Sequence, residues 1–348
     1  MSNITKIIHG NATTYSFQLI MLCITSLLLG ITIYHSTKNF NSLDQMPELF
    51  PITPAHLEEF QGTPTTVEVG LYIKDFPEFN VLKNEFVFSG IIWFQFDPSK
   101  TSLDTLGKFS IEKGEIVSLS APTTRLIEGK VFARYDIRVR FKAAMNFSLF
   151  PLEDHTIYII LDNHFVTPGE IRYESSVSSF ILSPNMIVSD WIPYDRSVYT
   201  GHSESHLEEG SKDKNVYYPR VVFGIDYKRS GTRQLFTILL PLILIFFITV
   251  FSLSMDPEAY SKSIIALSTG SVTALLAYRF VIENLSPHVG YFMLSDLLFF
   301  LFLGAVFIIF FVNALTLTLG GRSKAWITVL VHTLVVSTSL YLIDFWLR

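Results

Sequence analysis

Two histidines four residues apart, His202 and His206, sit among Glu204, Glu208 and Glu209 in the run GHSESHLEEGSKDKN, residues 201–215. On a helix such i, i+4 histidines share a face and could ligate a divalent ion. Histidine also titrates near neutral pH, so proton sensing is a second chemistry. A solvated polar hairpin doing neither is the third reading. Other reactive side chains are sparse. Arg279, Glu283, Asp296, His332 and Asp344 lie in apolar surroundings, and Glu258 and Lys262 stand four apart ahead of one apolar run. The chain has no H-E-x-x-H, no G-x-S-x-G and no glycine-rich phosphate loop, so an enzyme is not expected. Cys23 is the sole cysteine, which excludes an intrachain disulfide and a cysteine metal cluster. No cofactor and no metal site is expected.

The elements that must position these groups follow from where charge is missing. The 348 residues are 49% hydrophobic and only 16% charged, against roughly 25% charged in soluble domains. Residues 7–37, 297–321 and 325–343 carry no Asp, Glu, Lys or Arg at all. Five segments are apolar enough for a bilayer, which needs about 20 residues per helix: Phe17–Tyr34, Leu235–Ser254, Ser263–Leu285, Tyr291–Leu319 and Ala325–Trp346. The first reads as a signal anchor or a signal peptide. Arg322 and Lys324, in the short loop Gly320–Lys324, place that loop in the cytoplasm by the positive-inside rule. Counting back, residues 38–233 lie outside, as expected of a multi-pass protein of the cell (inner) membrane with an extracellular or periplasmic domain. That block reads as β: Thr65–Lys74, Glu85–Asp97, Tyr135–Phe141, His155–Leu161 and Val216–Tyr227 alternate or run apolar, rich in β-branched and aromatic residues. The sequence therefore divides into 1–37, 38–233 and 234–348. The middle block is acidic overall, which argues against nucleic acid.

The segment Ser263–Leu285 is the least apolar of the last four. Ala266, Gly270, Thr273, Ala277, Phe280 and Asn284 recur at steps of four and three, which puts them on one helix face. Ile265, Leu267, Val272, Leu275, Leu276 and Val281 read as a bulkier opposing set. A small, partly polar stripe suits the wall of a water-filled pore or a tight helix–helix seam, and its composition does not choose between them.

Several residues carry a resemblance to the pentameric ligand-gated ion channels, the Cys-loop receptor superfamily. Phe150-Pro151-Leu152-Glu153 resembles the F-P-F-D centre of the family's membrane-facing loop. Arg229, twelve residues before Pro241, is similar to the pre-membrane arginine and first-helix proline. Ala277-Tyr278-Arg279-Phe280, then Pro287 and Tyr291, resemble the end of the pore helix and its turn in bacterial members. Ala143 and Ile157 stand where animal members place the two loop cysteines, and bacterial members also lack that bridge. Glu153 replaces the family's Asp, with Asp154 beside it.

The resemblance implies an immunoglobulin-like β-sandwich outside the membrane, feeding a four-helix transmembrane bundle. It implies a homopentamer, the chain with four identical subunits in membrane lipid, opened by a small-molecule agonist to pass inorganic ions. It implies a pore lined by Ala266, Gly270, Thr273, Ala277, Phe280 and Asn284. Phe280, the bulky member of that stripe, is then the gate by dewetting. Rings of Glu258 or Glu283 would favour cations and a ring of Lys262 anions, with cations preferred overall. The agonist would lie under the 201–215 hairpin among Phe165, Tyr217 and Tyr218, facing Trp93 of a neighbour. Coupling would pass through Pro151, Glu153 or Asp154, Arg229 and Pro287. A non-conducting membrane receptor of the same fold is the alternative.

Overall fold

The computed structural model describes residues 2–51, 63–186, 188, 190–209, 212–315 and 321–347. Two compact units emerge. One joins Met1–Leu43, Phe147–Glu153 and Gly231–Arg348; the other joins Asp44–Asn146 and Asp154–Ser230.

The first unit is helical: Ser2–Lys38 (α1), Arg233–Phe251 (α2), Pro257–Leu285 (α3), Leu294–Leu315 (α4) and Gly321–Leu347 (α5). All five are long and apolar enough to cross a membrane. The boundaries shift from those expected. α3 starts at Pro257, capped by Asp256, whose carboxylate accepts from Glu258 N at 3.1 Å. α4 starts at Leu294 rather than Tyr291, and the expected end at Leu319 lies outside the described residues. Arg322 and Lys324 belong to the first turn of α5, not to a loop.

The four carboxyl-terminal helices do not stand apart from α1, which packs against α5 and α2. Among the residues of α1 whose burial is described, 15–38, the buried positions are Gln18, Thr25, Leu29 and Ser36, spaced by seven, four and seven. Three of the four are polar, as suits a helix seam within lipid, where polar contacts are the glue. Gln18 donates to Thr328 Oγ1 at 2.8 Å, and the Thr25 hydroxyl lies 2.8 Å from His332 Nδ1. The two contacts keep a near-constant sequence offset, so α1 and α5 run parallel.

The second unit is built of β1 (Thr65–Asn80), β2 (Glu85–Phe96), β3 (Ser110–Ile111), β4 (Gly114–Leu119), β5 (Thr123–Ile127), β6 (Lys130–Lys142), β7 (His155–Asp162), β8 (Ile171–Glu174), β9 (Phe180–Leu182), β10 (Trp191–Glu209) and β11 (Lys212–Arg229). One sheet orders β4-β6-β2-β1-β8, with β5 also on β6 and β9 on β1; the other orders β10-β11-β7-β3. In β6 the residues Ala133, Tyr135, Ile137, Val139 and Phe141 are buried while Arg134, Asp136, Arg138 and Arg140 are exposed, the alternation of a half-buried strand. Rings bridge the sheets: Phe79 meets Tyr227 at 4.9 Å, and Phe180 meets Phe223 at 5.1 Å.

All five strands read from the sequence are present, several of them longer. β4 and β5 carry no apolar alternation because both are largely exposed. β10 supplies the strand run expected to lead into the 201–215 hairpin and carries it on to Glu209. The tip expected over 201–215 needs correcting, since pairing continues to Glu209↔Lys212.

Arg220 ties this unit together from β11. Its guanidinium grips Asp162 through two bonds of 2.7 and 2.8 Å, reaches Glu112 at 2.6 Å and donates to the Glu48 carbonyl at 2.8 Å. Asp162 is 1% exposed, so its charge depends on that guanidinium. Removing one partner of such a buried pair costs about 3–5 kcal/mol. Arg220→Met should therefore lower the thermal midpoint of the β unit sharply, read by hydrogen exchange at β7 and β11, whereas the paired change Arg220→Met with Asp162→Leu should restore much of the loss.

Candidate functional site

The stripe read from the α3 sequence is exposed throughout: Ala266, Gly270, Thr273, Ala277, Phe280 and Asn284 are all open in the single chain, Phe280 at 69%. The face of α3 that packs consists of Ile264, Ser268, Ser271, Leu275 and Ile282. This differs from the bulky set expected opposite the stripe. Only Leu275 of that set is buried, and Ile265, Leu276 and Val281 are exposed flanks. Within the chain, tight packing falls to two serines and three aliphatics, so the small-residue stripe is not the intrachain seam.

Glu258 and Lys262 are both exposed, and no ion pair joins them among the described residues. The backbone leaves the helical region at Tyr260 (φ −127°, ψ 24°), which breaks the i, i+4 geometry a pair would need. Glu283, near the other end, is exposed beside Asn284.

Several polar contacts hold α3 in place, among them a bond of 3.3 Å from Gln234 Nε2 of α2 to the Leu285 carbonyl. Pro241 lies inside α2 and has no N–H, so the Thr237 carbonyl four residues back loses its helical donor. The Tyr278 hydroxyl donates to that carbonyl and lies 3.5 Å from Ile238 O. Next to Tyr278, Arg279 forms an ion pair with Asp296 of α4, and its guanidinium lies 5.5 Å from the Phe299 ring. Asp296 is buried, and it also accepts from Met293 N at 2.9 Å. Lower down, Asn313 Nδ2 donates to Ser252 Oγ at 2.7 Å and Ser268 Oγ at 2.8 Å, joining α4 to the turn after α2 and to α3.

The segment Phe147–Glu153 belongs to the helical unit. Phe147, Leu149, Phe150 and Leu152 are buried. The Ser148 carbonyl accepts from Leu294 N at 2.8 Å and the Phe150 carbonyl from Ser295 N at 2.9 Å, while Phe147 N donates to the Tyr291 hydroxyl at 2.9 Å. The carbonyls thus cap the first turn of α4, whose N–H groups have no helical partner. Pro151 follows a cis peptide bond and Glu153 is buried. These bonds to Tyr291, Leu294 and Ser295 bring the segment to the start of α4, and Pro287 is buried in the turn after α3.

In the β unit, Asp154 accepts from Arg229 N at 3.0 Å, and the Arg229 guanidinium stacks 4.5 Å over Trp191. The Asp44 carboxylate accepts from Asn146 N at 2.6 Å and Thr156 N at 2.8 Å and lies 2.9 Å from His155 Nδ1. Burial, assisted by the carboxylates of Asp195, Asp154 and Asp44, raises the Asp226 carboxyl above its ordinary value.

The expected aromatic box is split within one chain. Tyr217 and Tyr218 are consecutive in β11 and so point to opposite faces. Tyr217 meets His202 at 5.5 Å and Tyr218 meets His164 at 4.4 Å. Phe165 is 67% exposed, with Lys108 Nζ 5.4 Å from its centroid, so a cation already occupies that ring. Trp93 stands on the other sheet over Gly70, where a Cβ would lie 2.1 Å from the indole. His202 is buried and bridges to Phe50, N to O at 2.9 Å in both directions. Since Trp191–Glu209 is a strand, the four-residue spacing of His202 and His206 covers about 13 Å of backbone and not one helical turn. The metal expectation loses its helical premise.

No protein-family model matches the chain, and no curated protein matches it significantly.

Sequence reasoning missed the Tyr278–Thr237 bond, the Asn313 triad and the α1 seam. Asn313, alone as an amide within an apolar run, and Gln18 and His332, polar within two others, were the available signals. Tyr278→Phe should destabilise the full chain by about 1 kcal/mol, since it strands a carbonyl in an apolar setting. The same change made on a Pro241→Ala background should cost less, because replacing the proline restores the N–H that the Thr237 carbonyl lacks; a double-mutant cycle on thermal midpoints checks this.

Proposed function

We propose that this chain is one subunit of a homopentameric ligand-gated ion channel of the Cys-loop receptor class, without enzymatic activity. In this reading the β unit is an immunoglobulin-like sandwich outside the cell membrane, and five copies of α3 surround a water-filled path. The observation that carries it is the α3 stripe: small or polar positions and one large aromatic ring, exposed from Ala266 to Asn284, while the opposite face packs inside the subunit. Such a face is a poor partner for lipid tails. Around a five-fold axis it would be hydrated, with Phe280 as the narrow apolar ring that closes by dewetting. Thr273, midway, leaves the centre wide and polar.

The agonist would bind between neighbouring β units, with Tyr218, His164 and Phe165 on one side and Trp93 on the other. The signal would enter the helices through Phe147–Glu153, whose carbonyls hold the start of α4, and reach the pore helix through Asp296 and Arg279, one residue before Phe280. Exposed Glu258 and Glu283 support cation selectivity, and exposed Lys262 at the kinked end is the competing anion filter.

Current across planar bilayers holding the purified chain, under a salt gradient and a ligand and pH screen, tests the reading. Discrete currents with a fixed reversal potential support it; silence from protein shown to be pentameric favours a non-conducting receptor. Phe280→Ala should raise resting conductance roughly tenfold or more, equivalent to about 1.4 kcal/mol in the closed–open balance, and unchanged leak removes Phe280 as the gate. Glu258→Gln should move the reversal potential towards the anion value and Lys262→Gln towards the cation value. Immobility in both places the filter elsewhere.

A further inference from the structure

The end of the helical unit at which α3 begins is tied to both α1 and α5. Tyr15 of α1 stacks on Phe251, the last residue of α2, with ring centroids 5.4 Å apart. From α5, the half-buried Lys324 donates from Nζ to the Met255 carbonyl at 3.2 Å. Asp256 is the N-cap of α3, and its own carbonyl accepts from Tyr260 N at 2.9 Å. The Met255 carbonyl, one residue earlier, is therefore due no amide of the helix, and the Lys324 ammonium supplies the donor. Such a charge-assisted bond is stronger than a neutral one. The α1–α5 seam reaches the same residue through one side chain. The Thr328 hydroxyl accepts from Gln18 Nε2 at 2.8 Å and donates to the Lys324 carbonyl at 3.0 Å.

What hangs from this tie is the first turn of α3. The kink at Tyr260 sets Pro257–Ala259 apart from the rest of the helix, and a single turn is too short to hold its own direction. That direction is set by the cap at Asp256 and by Met255 before it. Glu258 lies in this turn, whereas Lys262 lies beyond the kink. We propose that α1 is a retained helix of the working protein and that, through α5 and the Lys324–Met255 bond, it fixes the turn that carries Glu258. Lys324 is the positioning residue, and Gln18 acts through it. A leader that is cut away has no use for polar groups matched to α5, yet Gln18 and Thr25 meet Thr328 and His332, both buried. The positioning rests on contacts within the helical unit; only its effect on ions rests on the channel reading.

The intact mass of the full chain purified from membranes should include α1; a chain cut behind α1 overturns the proposal. Hydrogen exchange reads the tie itself. Lys324→Met should speed exchange of the Glu258 and Tyr260 amides roughly tenfold, with amides from Ile264 onward unchanged. Gln18→Leu should act in the same place to a smaller degree. Lys324→Arg, which keeps a charged donor, should restore protection, and Trp326→Ala, on an exposed position of α5, should leave it unaltered. Unchanged exchange at Glu258 and Tyr260 in Lys324→Met overturns the proposal. In conducting protein the sign of a second readout is decisive. Removal of an ammonium near a pore mouth favours cations by its charge alone, whereas release of Glu258 favours anions. Lys324→Met should therefore move the reversal potential towards the anion value, as Glu258→Gln does, with no further shift when the two are combined. Movement towards the cation value overturns the positioning of Glu258. Faster exchange in protein that never conducts supports the positioning and counts against the channel reading alone.

Discussion

A polar group inside a bilayer has no water to turn to, and the helical unit is organised around that constraint. Each of its main interhelical contacts joins one polar group to another across a helix boundary. Asn313 joins α4 to α3 and to the turn after α2; Arg279 and Asp296 neutralise each other between α3 and α4. Tyr278 meets the carbonyl that Pro241 leaves open in α2, and Gln18 and Thr25 meet Thr328 and His332. Because lipid tails are as apolar as leucine, burial of aliphatics alone gives little drive for helices to associate. The pairings decide which helices are neighbours and in what register.

The same constraint explains how α3 can leave one face empty. Its contacts with α2 and α4 are supplied by a few directional bonds, concentrated on Ser268, Tyr278 and Arg279, and by Leu275 and Ile282. The remaining face is free of packing contacts within the chain. The start of α4 is held in a comparable way, by the backbone carbonyls of Ser148 and Phe150 together with the Asp296 carboxylate, which accepts from Met293 N. Movement of that short segment would be felt at Asp296, and through its ion pair at Arg279, along one chain of hydrogen-bonded and paired groups.

How much of this could be read in the sequence divides along a physical line. Hydropathy is additive over a window, so all five spanning helices were legible, as were the strands with apolar or alternating runs. The α3 stripe was legible for the same reason, a period written in consecutive residues. What escaped were pairs far apart in the chain, such as Arg220 with Glu112 or Gln18 with Thr328, because each half looks like an ordinary polar residue until its partner is known. The length of β10 escaped differently. From Gly201 onward its polar residues hide a strand that continues by pairing with β11, and at Gly201 Phe50 comes so close that its carbonyl would lie 2.3 Å from any Cβ.

The parallel seam of α1 and α5 has a further consequence for how the molecule is made. Gln18 and Thr328 are 310 residues apart, with the whole β unit and three other helices between them. During synthesis α1 enters the membrane long before its partner exists. For that interval Gln18 and Thr25 have no α5 to pair with, a state that insertion machinery, a lipid or another protein must shelter. Closure of the seam is therefore a late event in biogenesis, and completion of the helical unit waits on the ribosome.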